Sequence, residues 1–318
     1  MKRLQWLIVA MICLVASAAS AQSYPNKPVR LIVPFGPGSG SDIVARRLGA
    51  YLQKIWKQQV VIDNRPGAQG VIGTNALKNA AADGYTLGIS TNSTHAAASY
   101  MVKNLSYDPI NDFAHIAAIG AGGSVALVSR QSGFKTIPEL AAYAKAHPNT
   151  VFFGHADTIA HVSGELFKAR AGVPIQGVPY KTSSSVIADL IGGHIQIAFF
   201  NYMTGAAQIA SGRLIPIAIT EPKRDPRWPD VPTMEEYFPG LEVSFFIGVS
   251  APAGIPADIA AHIHRAIQDA QKDPGFREPL EATGVTLIPQ SPGEYRAFIV
   301  REAGRWREHV REARLLPQ

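Results

Sequence analysis

Short apolar runs alternate along most of the chain with longer stretches in which apolar residues recur at helical spacing. "VRLIVPF", "QQVVIDN" and "YTLGIST" read as short buried strands, and "SDIVARRLGAYLQKIW" between the first two reads as a helix. "DFAHIAAIG" and "VALVSR" are strand candidates on either side of "GAGGS". "IPELAAYAKAHP" has the apolar spacing of an amphipathic helix ended by proline. "TVFFG" then leads to "TIAHVSGELFKARAG", and "IQGVPY" to "SSSVIADLIGG". "IQIAFF", "LIPIAIT" and "SFFIGVSAP" are later strands, with two helices predicted after them. Such alternation predicts an α/β protein with mainly parallel sheets flanked by helices.

Two breaks in this pattern predict domain crossings. One is the glycine cluster from Gly120 to Gly123, and the other is "SFFIGVSAPAG", reached through the proline-rich "EPKRDPRWPDVPTMEEYFPG". The expected division is a first lobe of residues 22–122 plus 247–318 and a second lobe of residues 123–246. A chain of this length has enough core for two domains. A ligand cleft is then expected between the lobes.

The N-terminus changes the setting. Lys2 and Arg3 precede an apolar run from Leu4 to Val15, and small residues follow, ending Ala19-Ser20-Ala21. That order predicts a signal peptide over residues 1–21, cleaved before Gln22, and a periplasmic protein. The run is shorter than the ~20 residues of a membrane-spanning helix. Cys13, the one cysteine, falls in this segment. The expected mature chain therefore has no disulfide and no thiolate nucleophile or zinc-thiolate site. The formal charge of +6 falls to +4 without Lys2 and Arg3. Many basic residues alternate with acids in "REAGRWREHVREARLLPQ", the pattern of a solvated helix face, so nucleic acid is not an expected partner.

Candidate chemistry begins with "VPFGPGSGSD". Gly36, Gly38 and Gly40 allow close backbone approach to a ligand, and Ser41 or Asp42 can cap the helix that follows. Free N–H groups at a helix start attract anions. Asp63 ends the next strand about where a ribose-binding acid would lie. A dinucleotide site nevertheless fails on spacing, and Pro37 removes one N–H. No G-x-S-x-G elbow or H-E-x-x-H motif is present. His262 and His264 point to different helix faces, while His161 and Glu165 are one turn apart and can share a ligand or pair at the surface. His155, Asp157 and His161 form the one polar cluster with catalytic potential, without an evident nucleophile. No metal site or cofactor is expected.

The stretches "YPNKPVRLIVPFGPGSGSDIVARRLGAYL", "VVIDNRPGAQGVIGTNALKNAAADGYTLGIST", "LSYDPINDFAHIAAIG", "HVSGELFKARAG", "VPYKTSSSVIADLIGGHIQIAFF" and "APAGIPADI" occur in one order. In that order the sequence resembles the Bug receptors, extracytoplasmic solute-binding proteins of tripartite tricarboxylate transporters, over essentially the whole mature chain. The resemblance implies a two-lobed periplasmic binding protein (type II-like) with its ligand cleft between the lobes. It also implies a small organic carboxylate as ligand and a membrane permease as partner. A monomer is the expected state.

Site residues follow from the same resemblance. Phe35, Gly36, Pro37, Gly38, Ser39, Gly40, Ser41 and Asp42 correspond to a first pincer that meets a carboxylate through backbone and water. Thr91, Asn92, Ser93 and His95 correspond to a second contact region of the first lobe. Across the cleft the corresponding positions are His155, Asp157, Thr158 and His161, then Tyr180 and Thr182 flanking Lys181, and Asn201.

Three features depart from the family pattern. "FFGHADTIAH" places His155 and Asp157 where small residues are usual, Thr182 replaces a glycine, and Asn201 replaces a frequent aspartate. Asp157 is expected to repel a second carboxylate, which favours a monocarboxylate with an amide, amine or heteroaromatic tail. The expected function is capture and delivery of that ligand without catalysis. A periplasmic hydrolase or isomerase using His155, Asp157 and His161 is the alternative, as is a ligand-sensing subunit for a sensor kinase.

Overall fold

The computed structural model describes residues 24–317, so the expected signal peptide lies outside the described residues. Strands are β1 (Val29–Val33), β2 (Val60–Asn64), β3 (Thr86–Thr91), β4 (Phe113–Ser129) and β5 (Phe152–His155). They continue as β6 (Gln176–Pro179), β7 (Ile197–Asn201), β8 (Leu214–Ile219), β9 (Ser244–Pro252) and β10 (Thr286–Leu287). Helices are α1 (Gly40–Trp56), α2 (Val71–Lys78), α3 (Ala98–Met101), α4 (Ile137–Ala146), α5 (Thr158–Ala171) and α6 (Ser183–Gly192). After these come α7 (Tyr202–Ala210), α8 (Met234–Tyr237), α9 (Ala257–Lys272), α10 (Pro274–Glu281) and α11 (Pro292–Glu312). A π-helical turn, Asn92–Ala97, links β3 to α3.

Two sheets share β4. Its first part, Phe113 to Gly123, pairs antiparallel with β9, and Gly120 and Ala121 also pair with β10. From Ser124 onward it pairs antiparallel with β7 and β8 instead. Parallel pairing joins β1 to β2 and β3 in the first sheet, and β5 to β6 and β7 in the second. The parallel pairings thus belong to the β-α-β units of each lobe, and the strands that cross the molecule run antiparallel.

One sequence expectation is corrected here. "DFAHIAAIG" and "VALVSR" are a single strand that runs straight through the glycine cluster. The glycines admit a neighbouring backbone: a Cβ on Gly122 would lie 2.5 Å from the Gly284 carbonyl oxygen, and one on Gly120 2.8 Å from that of Thr286. The C-terminal stretch also holds three helices and a short strand where two helices were expected.

Packing ties the sheets together. Tyr295 and Trp306 on α11 are fully buried, and Tyr295 shares a 2.7 Å hydrogen bond with Ser90 on β3. The charged C-terminal segment is therefore amphipathic, with Trp306 and Val310 buried on its inner face. Its Glu312 pairs with Arg170 at the end of α5. No helix among the described residues is long and apolar enough to cross a membrane.

Candidate functional site

The loop from β1 to α1 is shaped by Asp42. Its Oδ2 accepts from the Gly38 N–H and from Arg46 Nε, both at 2.9 Å. Oδ1 accepts from Asn64 Nδ2, which also donates to the Phe35 carbonyl. Burial alone would raise this carboxyl's pKa, but the bonds from Arg46, Gly38 and Asn64 outweigh it and hold it below the ordinary value. Gly38 takes the left-handed φ of 80° that the turn requires. The helix cap is Ser39, whose Oγ accepts from the Asp42 N–H, rather than Ser41 or Asp42. Asp42 is thus an organiser of the first jaw, with its carboxylate turned to the loop itself.

The second jaw closes directly on this loop. A Cβ on Gly40 would lie 2.5–2.7 Å from the Asn201 carboxamide, and one on Gly36 3.1 Å from the Thr182 methyl. Thr158 bridges the lobes twice. Its N–H donates to Ser93 Oγ at 3.3 Å and its hydroxyl to Gln69 Oε1 at 2.8 Å. Gln69 sits in a loop where Gly67, Ala68, Gln69 and Gly70 all have positive φ.

Between the jaws lies a small pocket of about 30 Å³, more than the ~10–15 Å³ that a single water needs. Ser39, Thr91, Asp157 and Asn201 line it, and each is the N-cap of the helical segment that follows it. Gly40, Ser41 and Ser93 complete its polar wall, with Phe35, Ile159 and residues Phe245 to Ile247 of β9 supplying the apolar one. Four helical segments, one of them the π-helical turn, therefore begin at one pocket, where their partial positive ends lie. No lysine, arginine or histidine lines it, and Asp157 is its one ionisable group. Asp157 accepts from the Ala160 N–H at 2.9 Å, and burial pushes its carboxyl up against that bond.

Phe35 also lines a second cavity of about 620 Å³, within the range of small-ligand sites. Its walls include Pro66, residues Gly67 to Gly70, His155, His161, Tyr180 and Lys181. The imidazoles of His155 and His161 stack with centroids 4.0 Å apart and planes at 4°. Burial drives the His155 pKa down to about 3 and lowers that of His161, where nearby Glu165 acts in the opposite direction.

Other sequence candidates lie elsewhere. Asn92 is fully buried and clamps β9, donating to the Ser244 carbonyl and accepting from the Phe246 N–H. His95 is 1% exposed, hydrogen-bonded to Thr94 Oγ1 and packed on Phe113 and His115, so it lines neither cavity. Pro37 and Gly38 form the exposed crest of the first jaw, and Thr182 caps α6. The cluster of His155, Asp157 and His161 is divided: the histidine rings line the larger cavity and Asp157 lines the smaller, with no ion pair or hydrogen bond between the Asp157 carboxyl and either ring. Sequence reasoning missed Gln69, Ile159 and the β9 residues. For Gln69 the local signal was the Pro-Gly turn in "NRPGAQG"; no local signal marks the others.

Comparison with known proteins matches this arrangement to a receptor family. The model of the tripartite tricarboxylate transporter family receptor (TctC) matches residues 44–315. Protein BugT of Bordetella pertussis (strain Tohama I) is 35% identical over 94% of this chain and 93% of its own length. The structure of R. palustris Rpa4515 with adipate is 30% identical, with a TM-score of 0.90 over 93% of this chain and all of that one. MatC from Rhodopseudomonas palustris with bound malate is 28% identical, with a TM-score of 0.85 over 90% of this chain and all of that one. The two-lobed solute-binding fold and the resemblance read from the sequence are both borne out, and the chain belongs to the tripartite tricarboxylate transporter receptor family of the Bug proteins.

Proposed function

We propose that the protein is a periplasmic receptor that captures a small organic carboxylate between its lobes, delivers it to a membrane permease, and catalyses nothing. The observation that carries this reading is the convergence of four helix N-caps on one pocket without a cation. A carboxylate there gains from oriented N–H groups and helix dipoles. The related structures with adipate and malate support the ligand class. Division of the lobes as 22–122 plus 247–318 and 123–246 is supported by β4, which changes partners at Gly123/Ser124, and by β9, which joins the first sheet.

Closure around the ligand is the signal a permease can read, because binding favours the closed form. Native mass spectrometry of the purified protein, followed by release and identification of what it carries, tests the reading. A small carboxylate is expected; a cation or a neutral molecule without an acid group overturns it.

A further inference from the structure

The larger cavity presents an unusual surface to whatever extends past Phe35. His155 and His161 are 8% and 7% exposed, yet neither ring hydrogen-bonds to another described residue; His161 Nδ1 is shut off from solvent, which leaves Nε2 as the nitrogen of that ring able to meet the cavity. Buried polar side chains are nearly always paired, so two stacked, unpaired imidazoles on a cavity wall are suited to a ligand's polar group.

Their chemistry narrows that group. Each ring is neutral near pH 7 and so carries one N–H donor and one bare acceptor nitrogen. A second carboxylate offers acceptors only, and here it would lose its water against an uncharged wall. The one cation lining the cavity, Lys181, is exposed to solvent. A carboxamide or nitrogen heterocycle offers donor and acceptor together and carries no charge. The flat apolar surfaces of Phe35, Pro66 and Tyr180 suit a planar tail.

We propose that the ligand is a monocarboxylate whose tail ends in an uncharged planar group bearing both a donor and an acceptor, held against the His155–His161 pair. This rests on the carboxylate reading of the smaller pocket. Calorimetry with four six-carbon probes separates the two: hexanoate, adipate, the monoamide of adipate, and hexanamide. The monoamide is expected to bind about tenfold or more tighter than adipate or hexanoate, one hydrogen-bonded group's worth of discrimination.

His161→Phe keeps a stacked ring without its nitrogens. It is expected to erase the monoamide's advantage over hexanoate, and an unchanged thermal midpoint reports an intact fold. His161→Asn, which retains a donor and an acceptor, should keep part of that advantage. Adipate binding as tightly as the monoamide, or an advantage that survives both His155→Phe and His161→Phe, overturns the proposal and leaves the carboxylate reading standing. Hexanamide binding as well as hexanoate, or no binding by any probe, overturns both.

Discussion

At the scale of single residues, the first jaw depends on an acid that lines neither cavity. Asp42 draws Gly38, Arg46 and Asn64 together, and its side chain is 4% exposed. Its carboxyl is held below the ordinary value of about 4 in the folded protein, so the stabilisation it gives is present above that value. It is lost as pH falls through the lowered folded value. Asp42→Asn is therefore expected to cost about 1–2 kcal/mol at pH 7, and the gap from the unmodified protein should narrow on acidification. Urea unfolding of both proteins across that range measures it; a gap independent of pH would contradict the role given to the carboxylate. Asp157 shows the opposite balance, since burial outweighs its cap hydrogen bonds; because it lines the smaller pocket, the repulsion expected from sequence would fall on a carboxylate held there and not on a second one in the larger cavity.

At the scale of elements, the start of α1 meets the cap of α7, and the two touch because residue 40 has no side chain. Overpacking costs about 1–3 kcal/mol, and here the cost falls on the closed form alone. Gly40→Ala is expected to weaken carboxylate binding about tenfold with little change in thermal midpoint. Adding Asn201→Ser, which shortens the side chain and keeps a capping oxygen, should recover most of that loss by calorimetry. If the double variant binds no better than Gly40→Ala, the contact does not limit closure.

Most strands and long helices were legible because their signals are local, as in the apolar run of β1 and the spacing of α1. The continuity of β4 was not, since glycines read as a break unless the strand pressed against them is known. Helix α7 was missed because "YMTGAAQIA" carries small residues and no clear polar face. The first jaw and the odd histidines were visible in sequence. That His155 and Asp157 serve different cavities was not, because a strand end and a helix cap two residues apart point differently only in three dimensions.

At the scale of the whole molecule, one small polar chamber and one larger cavity share Phe35 as a lining residue. In the proposed reading, the chamber's dipoles would treat any carboxylate alike, and discrimination among acids would fall to the larger cavity. In the proposed closure, movement between open and closed forms would be taken up by strands that cross the molecule. The longest of these, β4, has 17 residues and a span of about 55 Å. A strand common to both sheets also couples their melting. Chains with two domains commonly unfold in separate steps. Here the loss of either sheet strips β4 of half its partners, so heating should give one calorimetric transition, and two resolved peaks would show the lobes to be thermodynamically separate. The strand common to both sheets is thus also what should keep either from melting alone.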